Sequence, residues 1–403
     1  MGNGFRIGRL AGVYIHIDWS LLIIFFLIAF SLGTGLFPSW HPEWSVMQSW
    51  VTALLAAILF FVSVLLHELS HALVGRRHGI DVKRITLFVF GGMAHMESEA
   101  RYWRGELWMA IVGPITSLAI GVACTTIAVY TMDPGNIDPD NIVRTLAALG
   151  TVPTLLLWLG QINILLGIFN LVPGFPLDGG RVLRAVLWGI TGDLHRATRW
   201  ASAAGQAFAW ILIASGAAMM LGYRMPVFGT GFVSGLWISL IGWFLNNAAL
   251  ASYRQLQIKT SLEHVPVSSL MQTGFSSAPP NLPVDRFIEE YFLHGDQRGF
   301  PIVERGRLIG MVCLEDIRKL DRSTWSSRTV RDIMTPANSL IRIAPQDDVF
   351  KALSLLGESK VNQLPVVENE QVRGLMRRED ILKWLSLYEN TGAGNAVGLG
   401  HSR

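Results

Sequence analysis

Phe61-Val62-Ser63-Val64-Leu65-Leu66-His67-Glu68-Leu69-Ser70-His71 lies inside a run, Trp50 to Val74, that is otherwise almost wholly apolar. A run of that length reads as a membrane-spanning helix. Ionisable groups at such depth are costly and are kept chiefly where they serve a site. His67 and His71 are four residues apart, so a helix places them on one face, one turn apart, where both imidazoles can hold one metal ion. Glu68 sits beside the pair, placed to take a proton from a water held there. The plainer alternative is a polar cluster packed between helices, and the rest of the chain must decide between them.

Working outward, the 403 residues are 51% hydrophobic and only 16% charged, which excludes an ordinary soluble enzyme. Charge is thin up to about residue 250 and dense beyond it, so a membrane part precedes a soluble part. Apolar runs predict six spans: Ile17–Phe37, Met47–Gly75, Leu107–Met132, Leu146–Leu171, Trp200–Leu221 and Val227–Leu250. Weak alternation over residues 5–17 predicts a short strand before the first span. The β-branched and aromatic stretch 81–97, centred on Gly91-Gly92, predicts a hairpin or small sheet, the glycines allowing close backbone approach or a bend. The acidic loop from Asp133 to Asp140 separates the third and fourth spans.

Lys and Arg set the orientation. Arg6, Arg9, Arg76, Arg77, Lys83, Arg84, Arg101, Arg104, Arg181, Arg184, Arg196 and Arg199 fall on one side, against Arg144 and Arg224 on the other. Both termini are therefore expected in the cytoplasm, with His67 and His71 toward the cytoplasmic end of their helix. No cleavable signal peptide is evident, and Cys124 and Cys313 do not point to an oxidising compartment. The expected setting is a multi-pass protein of the cell membrane, surrounded by lipid, with nothing to suggest a nucleic-acid partner.

Past the fourth span come Asn170-Leu-Val-Pro-Gly-Phe-Pro-Leu-Asp178-Gly179-Gly180-Arg181. Two prolines break the helix, and Asp178 precedes a glycine pair that lets the chain turn. A carboxylate here returns to the depth of the two histidines. Two imidazoles and one carboxylate leave a fourth zinc position open for water, the arrangement of hydrolytic sites. Capping of the following helix is the other role open to Asp178. Asn163 and Asn170 could line a polar cavity or bond between helices. His78 and His95 are expected not to be ligands, since three are already supplied.

These two motifs resemble those of the site-2 protease family of intramembrane zinc metalloproteases, in the branch with a C-terminal CBS-domain pair. The resemblance extends over nearly the whole chain. It implies one zinc ion held by His67, His71 and Asp178, with Glu68 as general base and Asn170 near the substrate or the oxyanion. It also implies that the strand with Gly91 and Gly92 pairs with an unwound segment of a transmembrane protein substrate. Gly113-Pro114 looks like a further, weaker family element. Local unwinding has a physical basis, because a helical substrate hides its peptide bonds and a strand edge can accept the freed backbone groups.

Beyond the spans, residues 264–320 and 328–386 repeat. Met271 aligns with Met334, Asp285 with Asp348, Gly310 with Gly374 and Asp316 with Asp380, each unit reading strand, helix, two strands, helix. This resembles a tandem CBS pair, whose relatives often bind adenine nucleotide, with Asp316 and Asp380 meeting ribose hydroxyls. Cys313 and Arg377 stand where Thr or Ser is usual. That departure weighs against a nucleotide and leaves a homodimer contact or substrate gating as the other role; each aspartate could equally be a helix N-cap. Residues 390–403 are Gly-rich and expected to be flexible.

The expected fold is thus a polytopic α-helical membrane protein, six transmembrane helices with a small membrane-associated β-sheet in residues 1–255, followed by an α+β tandem CBS module. A CBS-regulated membrane transporter or ion-binding channel is the competing class. It leaves the His67–His71 spacing and the Asp178 loop unexplained.

Overall fold

The computed structural model describes residues 4–80, 82–89, 91–96, 100–132, 142–226, 229–293, 297–359 and 361–390. It divides into two compact units, Met1–Tyr253 and Arg254–Arg403.

The first unit opens with a hairpin, β1 (Gly4–Leu10) and β2 (Val13–Asp18), where a single strand is expected. Ala11 and Gly12 both adopt positive φ, the turn whose twist matches two antiparallel strands. Arg76 Nη1 donates to the Ala11 carbonyl at 2.9 Å and ties this turn to the following long helix. Because Ile17 pairs within β2, the first span begins later than its hydropathy implies. It comprises α1 (Ser20–Ser31), a wide turn (Leu32–Leu36) and α2 (Phe37–Trp40).

The second span is α3 (Val46–Arg77), opened by Ser45, whose hydroxyl accepts from Gln48 N. Then come β3 (Val82–Phe88) and β4 (Gly91–Met96), the hairpin expected over 81–97. The remaining helices are α4 (Trp103–Tyr130), α5 (Ile142–Ala147), α6 (Thr151–Asn170), α7 (Asp178–Thr191), α8 (Leu194–Met220) and α9 (Phe232–Leu262). Among the described residues, six helical stretches are long and apolar enough to cross a membrane: Ser20–Trp40, α3, α4, α6, α8 and α9. The fourth starts at Thr151 rather than Leu146, because the chain breaks at Leu149-Gly150 after the separate α5. The fifth starts earlier, at Leu194, where Asp193 caps it by accepting from His195 N and Arg196 N. The acidic loop from Asp133 to Asp140 lies outside the described residues. Outward-facing side chains such as Ile23, Phe26, Phe30, Trp210, Ile211 and Trp237 account for the apolar composition; lipid is their proper solvent.

One four-stranded sheet runs in the order β1-β2-β3-β4, with β2 and β3 parallel (Tyr14↔Arg84 to Ile17↔Leu87) and the other pairs antiparallel. Buried Val13, Val82, Ile85 and Leu87 pack it on Val64, Leu69 and Ala72 of α3, the helix that carries both histidines. Among the described residues β1 and β4 are the two edges of this sheet.

The second unit holds the sequence repeat: α10 (Val267–Leu270), α11 (Val284–Phe287), β5 (Gly299–Glu304), β6 (Arg307–Cys313) and α12 (Leu314–Arg318). It then recurs as α13 (Val330–Ile333), β7 (Thr335–Pro336), α14 (Val349–Glu358), β8 (Gln363–Glu368), β9 (Gln371–Arg377) and α15 (Arg378–Asn390). The leading strand expected in each repeat is reduced to single parallel bridges, Ala278↔Ile302 and Ile343↔Val366. The opening segments are exchanged instead. Gln272 and Leu375 trade backbone bonds at 2.8 and 3.0 Å, while β7 pairs with β6 of the first repeat. Exchange lets each half satisfy the other's open sheet edge. Residues 391–403, most of the expected flexible tail, lie outside the described residues.

Asp316 and Asp380 each sit in the first turn of a helix, and the two differ. Asp316 Oδ2 accepts from Cys313 N at 2.9 Å, one half of a capping box. Asp380 instead faces Arg377, whose Nε and Nη2 donate to its two oxygens at 2.8 Å each. Burial first, then the neighbouring Asp316 and Glu315, push the Cys313 thiol up to about 11. At pH 8 iodoacetamide should therefore label Cys313 at least ~10-fold more slowly than it labels the unfolded chain. Peptide mass mapping over time checks this, and labelling at the unfolded rate would contradict the burial described.

Candidate metal centre

Near the C-terminal end of α3 the side chains of His67 and His71 turn inward and are almost fully buried, while Glu68 between them is half-buried. Asp178 comes to them from α7. Its Oδ2 lies 3.1 Å from His67 Nε2 and 3.2 Å from His71 Nε2, and the two Nε2 atoms are 3.1 Å apart. Among the described residues this is the only grouping of three His, Cys, Asp or Glu side chains close enough to share a metal ion.

The other ring nitrogens explain why these three atoms converge. His71 Nδ1 lies 2.5 Å from the Met109 carbonyl, which can only accept, so Nδ1 carries the proton and Nε2 presents its lone pair. His67 Nδ1 faces the buried Ser117 hydroxyl at 2.9 Å, which can hold that ring in the same tautomer. Met109, Gly113 and Ser117 recur every four residues on α4, so one face of that helix supports both imidazoles. Between its two hydrogen-bonding groups stands Gly113. A Cβ there would lie 2.0 Å from His71 Nε2 and 2.8 Å from His67 Nε2, inside the space a shared ion needs.

The donor set fits zinc. Bonds of about 2.0–2.2 Å in a tetrahedron hold donors roughly 3.3–3.6 Å apart. The separations here are 3.1, 3.1 and 3.2 Å, so the three atoms need to open by only tenths of an ångström.

Asp178 is the first residue of α7, and its carboxylate does not cap that helix. The N-cap position is Leu177, without a side-chain cap bond. The glycine pair behind Asp178 serves close approach rather than a turn in the chain. Gly179 and Gly180 are helical, and a Cβ on Gly180 would lie 2.3 Å from the backbone of Gly174 and Phe175. Gly205 of α8 presses the same loop from the other side, its Cβ position 2.0 Å from the Phe175 carbonyl. The segment from Leu171 to Leu177 is thus held by backbone against backbone.

Gly91 opens β4 with φ +117°, a bend that only glycine adopts without strain, while Gly92 provides a close approach. A Cβ on Gly92 would lie 2.2 Å from Glu68 Cγ. The edge strand therefore runs against the acid between the two histidines.

Other expectations fare differently. Asn170 is half-buried in the last turn of α6 and, among the described residues, makes no hydrogen bond to His67, Glu68, His71 or Asp178. Asn163 is fully buried; its Nδ2 donates to the Leu159 carbonyl of its own helix at 2.8 Å, and its Oδ1 has no hydrogen-bond partner among the described residues. His78 ends α3 and bonds Tyr102 Oη through Nδ1 at 3.0 Å, away from the triad. The side chain of His95 is outside what the structure describes. Ser117 and Met109 were not singled out from sequence; the four-residue spacing of Met109, Gly113 and Ser117 was the available signal.

Residues 55–212 match the model of peptidase family M50, and residues 267–323 and 330–387 each match the CBS domain. A protein of Mycobacterium tuberculosis named "Putative zinc metalloprotease Rip3" is 32% identical over 390 residues, 96% of this chain and 94% of its own length. The chain belongs to peptidase family M50. A Synechocystis protein of similar name is also 32% identical, over 96% of each chain. A zinc metalloprotease of Methanocaldococcus jannaschii is 27% identical over 96% of this chain and 98% of its own. Among solved structures, the site-2 protease from Methanocaldococcus jannaschii matches 62% of this chain and 95% of its own, with a TM-score of 0.41 and 27% identity. For this M50 peptidase a transporter or channel is not the favoured reading.

If Gly113 keeps the metal space open, Gly113→Ala should reduce bound zinc to less than about a tenth of wild type, and Ser117→Ala should weaken zinc affinity about 10–100-fold. Elemental analysis and chelator competition on the purified chain measure both. Full zinc occupancy in Gly113→Ala would sink the geometric argument.

Proposed function

We propose that this chain is an intramembrane zinc endopeptidase that hydrolyses peptide bonds of transmembrane segments near the cytoplasmic face. The observation that carries the reading is the convergence of His67, His71 and Asp178 on one point, with Glu68 next to His67 in α3 and packed against Gly92 of an edge strand. His67, His71 and Asp178 would hold the ion, and Glu68 would act as general base. Zinc, when bound, polarises a scissile carbonyl and makes water acidic enough to be activated near neutral pH.

The chain's own residues do the rest. The outer edge of β4, which pairs with no other strand among the described residues, receives an unwound substrate segment that joins the sheet as a further strand. With Gly92 against Glu68, a segment paired along β4 runs beside the carboxylate that removes the proton from the attacking water. Glu68 then returns that proton to the departing amine, so the carboxylate is regenerated. Asn170, at the end of α6, would be reached by substrate rather than by the metal ligands. The Met109 carbonyl and Ser117 keep both imidazoles in one tautomer through the cycle.

We place the basic loops, and so both termini, in the cytoplasm of a multi-pass protein of the cell membrane, with lipid around the spans. Residues 1–255 form the enzyme in this reading, and residues 264–320 and 328–386 form a regulatory CBS pair that also joins two copies into a homodimer. At the second repeat, the clamp of Arg377 on Asp380 competes with any ribose hydroxyl for the same carboxylate. AMP or ATP titrated into the full chain should therefore bind the wild type at least ~10-fold more weakly than Arg377→Thr, by calorimetry.

Cleavage of tagged transmembrane peptides in detergent tests the enzyme. Glu68→Gln should keep its zinc while losing about 100- to 10,000-fold in rate. His71→Ala should lose both zinc and cleavage. A wild-type chain that binds no zinc at neutral pH would overturn the proposal.

A further inference from the structure

Glu106 is the most deeply buried acid described in the chain, 1% exposed in the first turn of α4, and none of the chemistry above uses it. Arg184 of α7 meets it with a two-nitrogen fork. Nε donates to Oε1 at 2.8 Å, and Nη2 donates to the same oxygen. Arg181, one turn nearer Asp178, brings its Nε to 3.8 Å from that oxygen. The Arg184 guanidinium also lies 5.2 Å from the centre of the Phe175 ring, in the loop that leads into Asp178. One cation therefore braces α7 against α4 on one side and holds the approach to the metal-donor carboxylate on the other.

The geometry matters because the three donors come from different elements. Both histidines are oriented by α4, through Met109 and Ser117, whereas Asp178 rides on α7. Keeping Asp178 Oδ2 beside both Nε2 atoms therefore requires a fixed placement of α7 on α4, in addition to the backbone packing of the loop before it. A flat apolar contact would allow sliding along the helix axes, but a buried, forked ion pair has one register. At the far end of α7, Gly189 lies against the Trp103 ring, a second close contact between α7 and the start of α4.

We propose that Glu106 is a positioning residue for the metal centre: paired with Arg184, it sets the register of α7 on α4 and so the placement of Asp178. The proposal rests on the reading that His67, His71 and Asp178 bind zinc.

The test uses the full chain in detergent micelles, as Glu106→Gln, Arg184→Lys and the charge-free double variant Glu106→Leu with Arg184→Met. Three quantities are measured: zinc affinity by chelator competition, the cobalt(II) d–d absorption spectrum as a report of donor geometry, and Tm without metal. Lysine keeps the charge of Arg184 but loses the fork, and the double variant removes both charges of the pair, so that neither Glu106 nor Arg184 is left buried without the other. The expected result is a zinc affinity about 10–100-fold weaker in all three, with an altered cobalt spectrum. In the double variant the metal-free Tm should stay at the wild-type value. Should either single variant fail to fold, the double variant decides. Wild-type affinity and spectrum in the double variant would overturn the positioning role, as would an affinity loss that merely tracks a lower metal-free Tm. His67→Ala serves as reference. If it bound zinc as tightly as wild type, or if the wild type bound none, the metal assignment would fall and the positioning role with it.

Discussion

Two buried imidazoles that must expose the same nitrogen to the same point constrain everything near the centre of this molecule. An imidazole buried in an apolar helix bundle needs a partner for its N–H, and the choice of partner decides which nitrogen stays bare. Here the partner surface is a single face of α4, a carbonyl for His71 and a hydroxyl for His67, with a glycine between them. From that one requirement follow the close approach of α3 and α4 and the glycine at 113, where a Cβ would meet both imidazoles.

The remaining donor is governed by different physics. Asp178 opens α7, and the loop that leads into it is placed by backbone packing at Gly174, Gly180 and Gly205, positions where any side chain would intrude. Such packing is short-ranged and steep, so it resists displacement more sharply than apolar side-chain contact does. The three potential metal donors are therefore placed by one helix pair and by the start of α7 with the loop before it, and Gly92 of β4 lies against Glu68 beside them.

The soluble unit follows a parallel economy. Each CBS repeat alone would leave a sheet edge open, and the exchanged segments at Gln272 and Thr335 close those edges reciprocally. The repeats have nevertheless diverged where a ligand would meet them. Asp316 is engaged by its own backbone turn, whereas Asp380 is held by Arg377. Two aspartates that align in the sequence thus present different electrostatic surfaces.

Much of this protein was legible in its residues alone. Spacing within one helix determines that His67 and His71 share a face, hydropathy determines the spans, and internal repetition determines the tandem module. These are properties of contiguous chain, and a helix or strand period carries them directly. What the tertiary structure decided were relations between segments that no local period encodes. The parallel pairing of β2 with β3 joins residues about seventy positions apart, and it turned one expected strand into a hairpin with a distant partner. The glycines after Asp178 read as a turn because a glycine pair usually marks one, yet their role is to let one backbone lie against another. Ser117 and the Met109 carbonyl carried no motif of their own, since a hydroxyl and a backbone oxygen acquire meaning only when a ring nitrogen is brought to them. Sequence specifies which chemistry is present; the packing of helix on helix specifies which atoms of it can act together.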